Sequence, residues 1–154
     1  MDTATLKQLC KPEAFPHPAD GMALRETHIS WVILCGDYAY KIKKPLDFDF
    51  LDFSTLELRR HFCEEELRLN RRFSPELYLE VLPITGDAGA PQLGGDGPII
   101  DYAVKMLRFD ENQLLDNIAA RGGLDERLIR ALGRELARLH GELPRCHPDP
   151  DGTE

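Results

Sequence analysis

The sequence predicts an α+β domain in which a five-stranded antiparallel sheet carries one helix and is followed by further helices. Three observations predict it. Residues 31–35 are an apolar run, Gly36-Asp37 supplies a tight turn, and residues 38–43 alternate as a second strand does. Ser54-Thr-Leu-Glu57 then reads as a capping box ahead of apolar residues at steps of three and four, which is how an amphipathic helix begins. Beyond it come two more strand-like stretches, 77–84 and 99–107, and after residue 108 the pattern turns helical.

A chain of 154 residues buries one core, and its net charge of −8 does not suggest a nucleic-acid surface. Arg59-Arg60 and Arg71-Arg72 sit among acids and read as solvated helix faces. No apolar run approaches the roughly 18–20 residues of a membrane span, and the N-terminus lacks a basic start followed by an apolar core. A cytoplasmic protein with no membrane partner is therefore expected. Cys10, Cys35, Cys63 and Cys146 lack the clustered spacing of a metal site, so free thiols are expected and no metal site.

In order, residues 3–10 make a short helix ended by Lys11-Pro12, and Phe15-Pro-His-Pro18 is extended or turning. Residues 22–26 form a first strand, joined to the second through Thr27-His-Ile-Ser30, and with 31–35 and 38–43 they give a three-stranded meander. On the third strand Tyr38, Tyr40 and Ile42 share one face, and Ala39, Lys41 and Lys43 share the other. Residues 47–53 read as a linker with Phe48, Phe50 and Phe53 as buried anchors. The helix that follows runs to about residue 72, with Leu58, Phe62, Glu66, Leu69 and Phe73 on one face. Residues 85–97, with five glycines, read as a surface excursion rather than a phosphate loop, because no Gly-Lys-Ser/Thr follows. On the fifth strand Ile100, Tyr102, Val104 and Met106 share a face. Helices are expected over 112–121, stopped by Gly122-Gly123, and over 125–140 with Leu128, Leu132, Leu136 and Leu139 as a stripe. The tail from 144 to 154 is expected to fray.

Glu66 is the odd member of its apolar face. A carboxylate there is costly unless it meets a cation, and no Lys or Arg lies three or four residues away on the helix. Lys41, on the strand upstream, is the expected partner. A strand lysine paired with a carboxylate on the next helix is what a kinase small lobe uses to hold a nucleotide's phosphates, with an alanine two residues before the lysine roofing the base.

Residues 26–45 together with 53–79 (Phe53-Ser-Thr-Leu-Glu…Glu-Glu-Glu-Leu-Arg-Leu-Asn-Arg-Arg…Pro-Glu-Leu-Tyr-Leu79) resemble a bacterial family related to aminoglycoside phosphotransferases. In that family a kinase-like domain is commonly followed by a P-loop ATP-binding domain. Tyr102-Ala-Val-Lys-Met106 is similar to the family's strand leading into the hinge, and the resemblance covers roughly residues 12–143. It implies a protein-kinase-like small lobe over 1–107, a hinge and the first helices of an incomplete large lobe over 108–143, and ATP, with Mg²⁺ in the full-length family, as the ligand. By position it implies that Lys41 is the phosphate lysine, Glu66 its helix partner and Ala39 part of the base's roof. Thr27, His28 and Ser30 would form the turn over the phosphates, and Met106 and Arg108 would belong to the hinge.

Phosphoryl transfer also needs a base for the acceptor and carboxylates for Mg²⁺, which kinases place in an H-x-D…N segment and a later acidic motif. The one His-x-Asp here is His147-Pro148-Asp149, in a proline-rich tail and followed by no Asn. The sequence therefore reads as an ATP-holding lobe without its catalytic lobe, truncated and inactive alone. The alternative is a non-enzymatic, pseudokinase-like interaction module completed by a separately encoded remainder or by self-association through the 125–140 stripe. A complete small enzyme built on His28 with Glu26 or Asp37 rests on proximity alone.

Overall fold

A computed structural model describes residues 1–143. The tail expected from residue 144, with Cys146 and His147-Pro148-Asp149, lies outside the described residues. The chain divides after Arg108 into two units.

In the first unit, α1 (Thr3–Leu9) opens with Asp2, whose carboxylate accepts from the Thr5 amide. Strands β1 (Ala23–Glu26), β2 (Ser30–Cys35) and β3 (Tyr38–Lys43) form the expected antiparallel meander. Gly36 makes the β2–β3 turn at φ +57°, and a Cβ there would come within 3.0 Å of the Pro18 carbonyl oxygen, so glycine is needed for both conformation and space. Next come β4 (Asp47–Phe48), β5 (Leu51–Asp52), α2 (Leu56–Asn70), β6 (Tyr78–Thr85), β7 (Gln92–Leu93) and β8 (Ile99–Leu107). The main sheet has six strands rather than five, in the order β1-β2-β3-β8-β6-β7, and β4 and β5 form a separate two-stranded ribbon. The sixth strand is the short β7, inside the glycine-rich excursion; its Leu93 is buried, which anchors that segment to the edge of β6.

The sheet separates two apolar clusters. On one face Leu6, Leu9 and Phe15 pack with Trp31, Ile33, Tyr40 and Ile42. On the other, Cys63 of α2 packs with Leu34, Ala39, Val104 and Met106. The alternation on β8 does not run unbroken. Ile84 pairs with Asp101 and Thr85 with Ile99, so Ile100 is an extra residue, and it packs on the α1 side while Tyr102 packs on the α2 side.

Three further expectations are corrected. The α2 cap is Thr55, whose hydroxyl accepts from the Leu58 amide, while Ser54 is left to offer its carbonyl to Arg59. The buried face of α2 is centred on Arg59 and Cys63, and Leu69 and Phe73 are exposed. Phe53 is buried, but Phe48 and Phe50 stack on each other at the exposed tip of the ribbon, where a two-residue turn gives them no core to enter.

The second unit contains a 3₁₀ turn (Glu111–Gln113), α3 (Leu115–Ala120) and α4 (Glu126–Glu142). The first of the two expected helices is thus shorter than 112–121. Gly122, at φ +71°, ends it, and Asp125 caps α4 by accepting from the Leu128 amide. None of the described residues from Phe109 onward is buried. No helix among the described residues is long and apolar enough to cross a membrane.

Candidate functional site

Strand β3 is bracketed by β2 and β8, so its side chains have rigid neighbours on both sides. Lys41 stands between Val32 and Val104, and Ala39 between Leu34 and Met106. The period of two sends Ala39, Lys41 and Lys43 to the face covered by α2. Helix α2 crosses this face with Glu66 directed at the strand. Lys41 Nζ donates to Glu66 Oε1 at 2.7 Å, and Lys43 Nζ donates to Glu66 Oε2 at 2.8 Å.

The three side chains differ in access to solvent: Lys41 is 30% exposed, Glu66 12% and Lys43 6%. The Lys43 ammonium also lies 4.9 Å from the centroid of the Phe53 ring. Burial pushes the Glu66 carboxyl upward, but hydrogen bonds and charge from Lys41 and Lys43 outweigh it and hold the group below its ordinary range. One turn earlier on α2, burial raises the Cys63 thiol to about 12, so it stays protonated beside the trio. Burial also raises the Tyr78 hydroxyl.

The placement of α2 depends on a second buried pair. Arg59 Nε donates to Asp101 Oδ1 at 2.8 Å, and its Nη1 donates to the carbonyls of Phe53 and Ser54, both at 3.0 Å. Asp101 is fully buried, and its other carboxylate oxygen accepts from the Met1 α-ammonium at 2.8 Å. This network fixes the first turn of α2 against β8, and Glu66 lies two turns further along the same helix.

At the end of the sheet near Lys43, Thr27 closes the β1–β2 turn on itself. Its hydroxyl accepts from the Ser30 amide at 3.0 Å, and its amide donates to the Ser30 carbonyl. Lys44 Nζ donates to the Thr27 carbonyl at 2.6 Å, pairs with Glu26 at 2.7 Å and lies over the Trp31 ring. His28 is exposed at the tip. Ser30 is not part of an open turn: it begins β2 opposite Lys43 and is fully buried, with no hydrogen-bond partner for its hydroxyl among the described residues. At the other end Met106 is buried beside Ala39. The Arg108 amide donates to the Asp37 carbonyl, and its guanidinium donates to the Gly21 carbonyl at 3.1 Å.

The fold thus brings Lys41, Glu66 and Ala39 to one face, with Met106 at one end of that face and Thr27 and His28 at the other. Arg108 is engaged by the carbonyls of Gly21 and Asp37, and Ser30 is sealed. Sequence reasoning missed Lys43 as a ligand of Glu66, although the alternation of β3 already put it on the Lys41 face. It also missed Arg59 and Asp101. A buried Arg–Asp pair 42 positions apart leaves no local signature.

No protein-family model and no solved structure matches the chain. Uncharacterized proteins of Mycobacterium tuberculosis and Mycobacterium bovis are 35% identical to it over 122 residues, which is 79% of this chain. The chain spans 23% of the length of these curated relatives.

Proposed function

We propose that the Met1–Arg108 unit is the nucleotide-binding lobe of an aminoglycoside-phosphotransferase-like small-molecule kinase. The observation that carries this reading is the Lys41–Glu66 ion pair, which runs from the central strand to the helix that follows it. A lysine held this way, and still 30% exposed, can present its ammonium to a phosphate. The register of β3 fits the same reading. Ala39 beside Met106 suits a base at the Arg108 end, and the Thr27-His28 turn suits phosphates at the other. The donors here fit the phosphates of ATP, with Mg²⁺ travelling on the nucleotide. The acceptor base and Mg²⁺ carboxylates that phosphoryl transfer needs would come from polypeptide beyond this lobe, whose own part is to hold ATP.

Titration of fluorescently labelled ATP against the full chain tests this. Wild type is expected to bind, and Lys41→Met to weaken binding at least tenfold, since one charge-assisted phosphate contact contributes about 1.5–3 kcal/mol. Equal affinity for the two proteins would remove the lysine from the site.

One observation favours the interaction-module reading. Ile129, Leu132 and Leu136 of α4 are each 36–50% exposed on a helix whose charged residues lie elsewhere around it. A stable complex with a second polypeptide, formed equally well by Lys41→Met and wild type, would support that reading over nucleotide binding.

A further inference from the structure

The two lysines that share Glu66 are not equivalent. Each takes one carboxylate oxygen, at 2.7 and 2.8 Å, yet Lys43 is nearly sealed beneath the Phe53 ring and Lys41 reaches solvent. If Lys41 were the only cation, drawing its ammonium toward a ligand would strand a buried carboxylate, at a large desolvation penalty. With Lys43 in place, Glu66 keeps a partner whichever way Lys41 turns. Two lysines against one glutamate also leave the cluster with a net positive charge, as an anion site requires.

We propose that Lys43 is the permanent partner that holds and orients Glu66, leaving Lys41 as the exchangeable cation that turns to a ligand phosphate. Lys43 is a positioning residue: it acts through Glu66 and does not meet the phosphate. The phosphate half of this statement rests on the nucleotide reading above, and the division of labour between the lysines rests on the geometry alone. The other titratable groups beside Glu66, Cys63 and Tyr78, are both pushed up by burial and stay neutral through the range of the test.

The division is tested first without ligand, by following the Glu66 side-chain carboxyl carbon by NMR through an acid titration of the full chain. Lys43→Met is expected to raise the Glu66 midpoint more than Lys41→Met does, and Lys43→Arg to leave it near wild type. A rise in Lys41→Met that equals or exceeds that in Lys43→Met overturns the proposal. The second measurement is labelled-ATP binding by variants whose folding is checked by circular dichroism. Lys43→Met should weaken binding about tenfold by cancelling the cluster's net charge. Adding Glu66→Gln to that variant should recover most of the loss, which a purely structural role for Lys43 would not allow. Loss in Lys41→Met with wild-type affinity in Lys43→Met overturns the proposal, as does a Lys43→Met defect that Glu66→Gln leaves unrelieved. If Lys41→Met binds like wild type, or wild type binds no ATP, the nucleotide reading fails instead, and the Glu66 titration still decides the role of Lys43.

Discussion

A carboxylate between two lysines makes a charge cluster in which the anion is the costly member to lose. Removing Lys41 or Lys43 leaves Glu66 one cation, whereas Glu66→Leu leaves two lysines facing apolar surface. Glu66→Leu should therefore destabilise the chain by about 3 kcal/mol, and Lys41→Met by less than about 1 kcal/mol, read as denaturant midpoints at neutral pH. The pH dependence has a definite sign. Glu66 is held below the ordinary value of 4.5, so its contribution is complete above that unfolded value and is lost as pH falls through the lower folded one. The stability gap between wild type and Glu66→Gln should accordingly shrink on acidification below about pH 4.5, the ordinary glutamate value; a gap that widens there would contradict the assignment. At this scale the Lys41–Glu66 pair was legible because an isolated carboxylate in an apolar stripe needs a cation. Lys43 was legible only in part: alternation put it on the right face, but nothing in a strand pattern says which of two lysines a distant carboxylate will meet.

Helix α2 shows what sequence periodicity can and cannot resolve. The spacing predicted a helix here and set Glu66 facing inward, but a stripe through Leu58, Phe62, Leu69 and Phe73 is rotated from the face that is buried. The reason is Arg59, a charged residue that any hydropathy pattern assigns to solvent, which is buried because Asp101 and two backbone carbonyls receive its donors. The bulge at Ile100 was hidden for a related reason, since one extra residue in a strand leaves the composition unchanged and alters only which face follows. Arg59→Met should leave Asp101 buried with one cation fewer and cost about 3–5 kcal/mol. Because Arg59 anchors the helix that carries Glu66, the same substitution should also weaken ATP binding, and thermal melts run beside ATP titrations would check both. An Arg59→Met protein with wild-type stability would show that α2 is held by its apolar contacts alone.

For the molecule as a whole, every residue that is buried among the described ones lies between Thr5 and Met106, within the first unit. A fragment ending at Arg108 should therefore fold by itself and melt within a few degrees of the full chain, as read by far-ultraviolet circular dichroism. A fragment lacking a cooperative transition would show that the later helices contribute to the core. The order of elements and the α+β class were legible from turn residues, alternation and helix spacing. The sixth strand and the 47–52 ribbon were not, because two-residue strands are defined by the partner they pair with and carry no period of their own.

Lys44 carries one more implication. Directly after β3, it reaches the Thr27 carbonyl in the β1–β2 turn, Glu26 at the end of β1 and the Trp31 ring of β2, and the Glu26 end of that tie is 63% exposed. Such a tie is screened as ionic strength rises, while the hydrogen-bonded ladder of β2 and β3 is not. Concentrated salt is therefore expected to release the Lys44–Glu26 pair first, seen as a salt-dependent shift of the Lys44 side-chain signals, while the Thr27 and Ser30 amides stay protected by the hydrogen bonds that close the turn on itself.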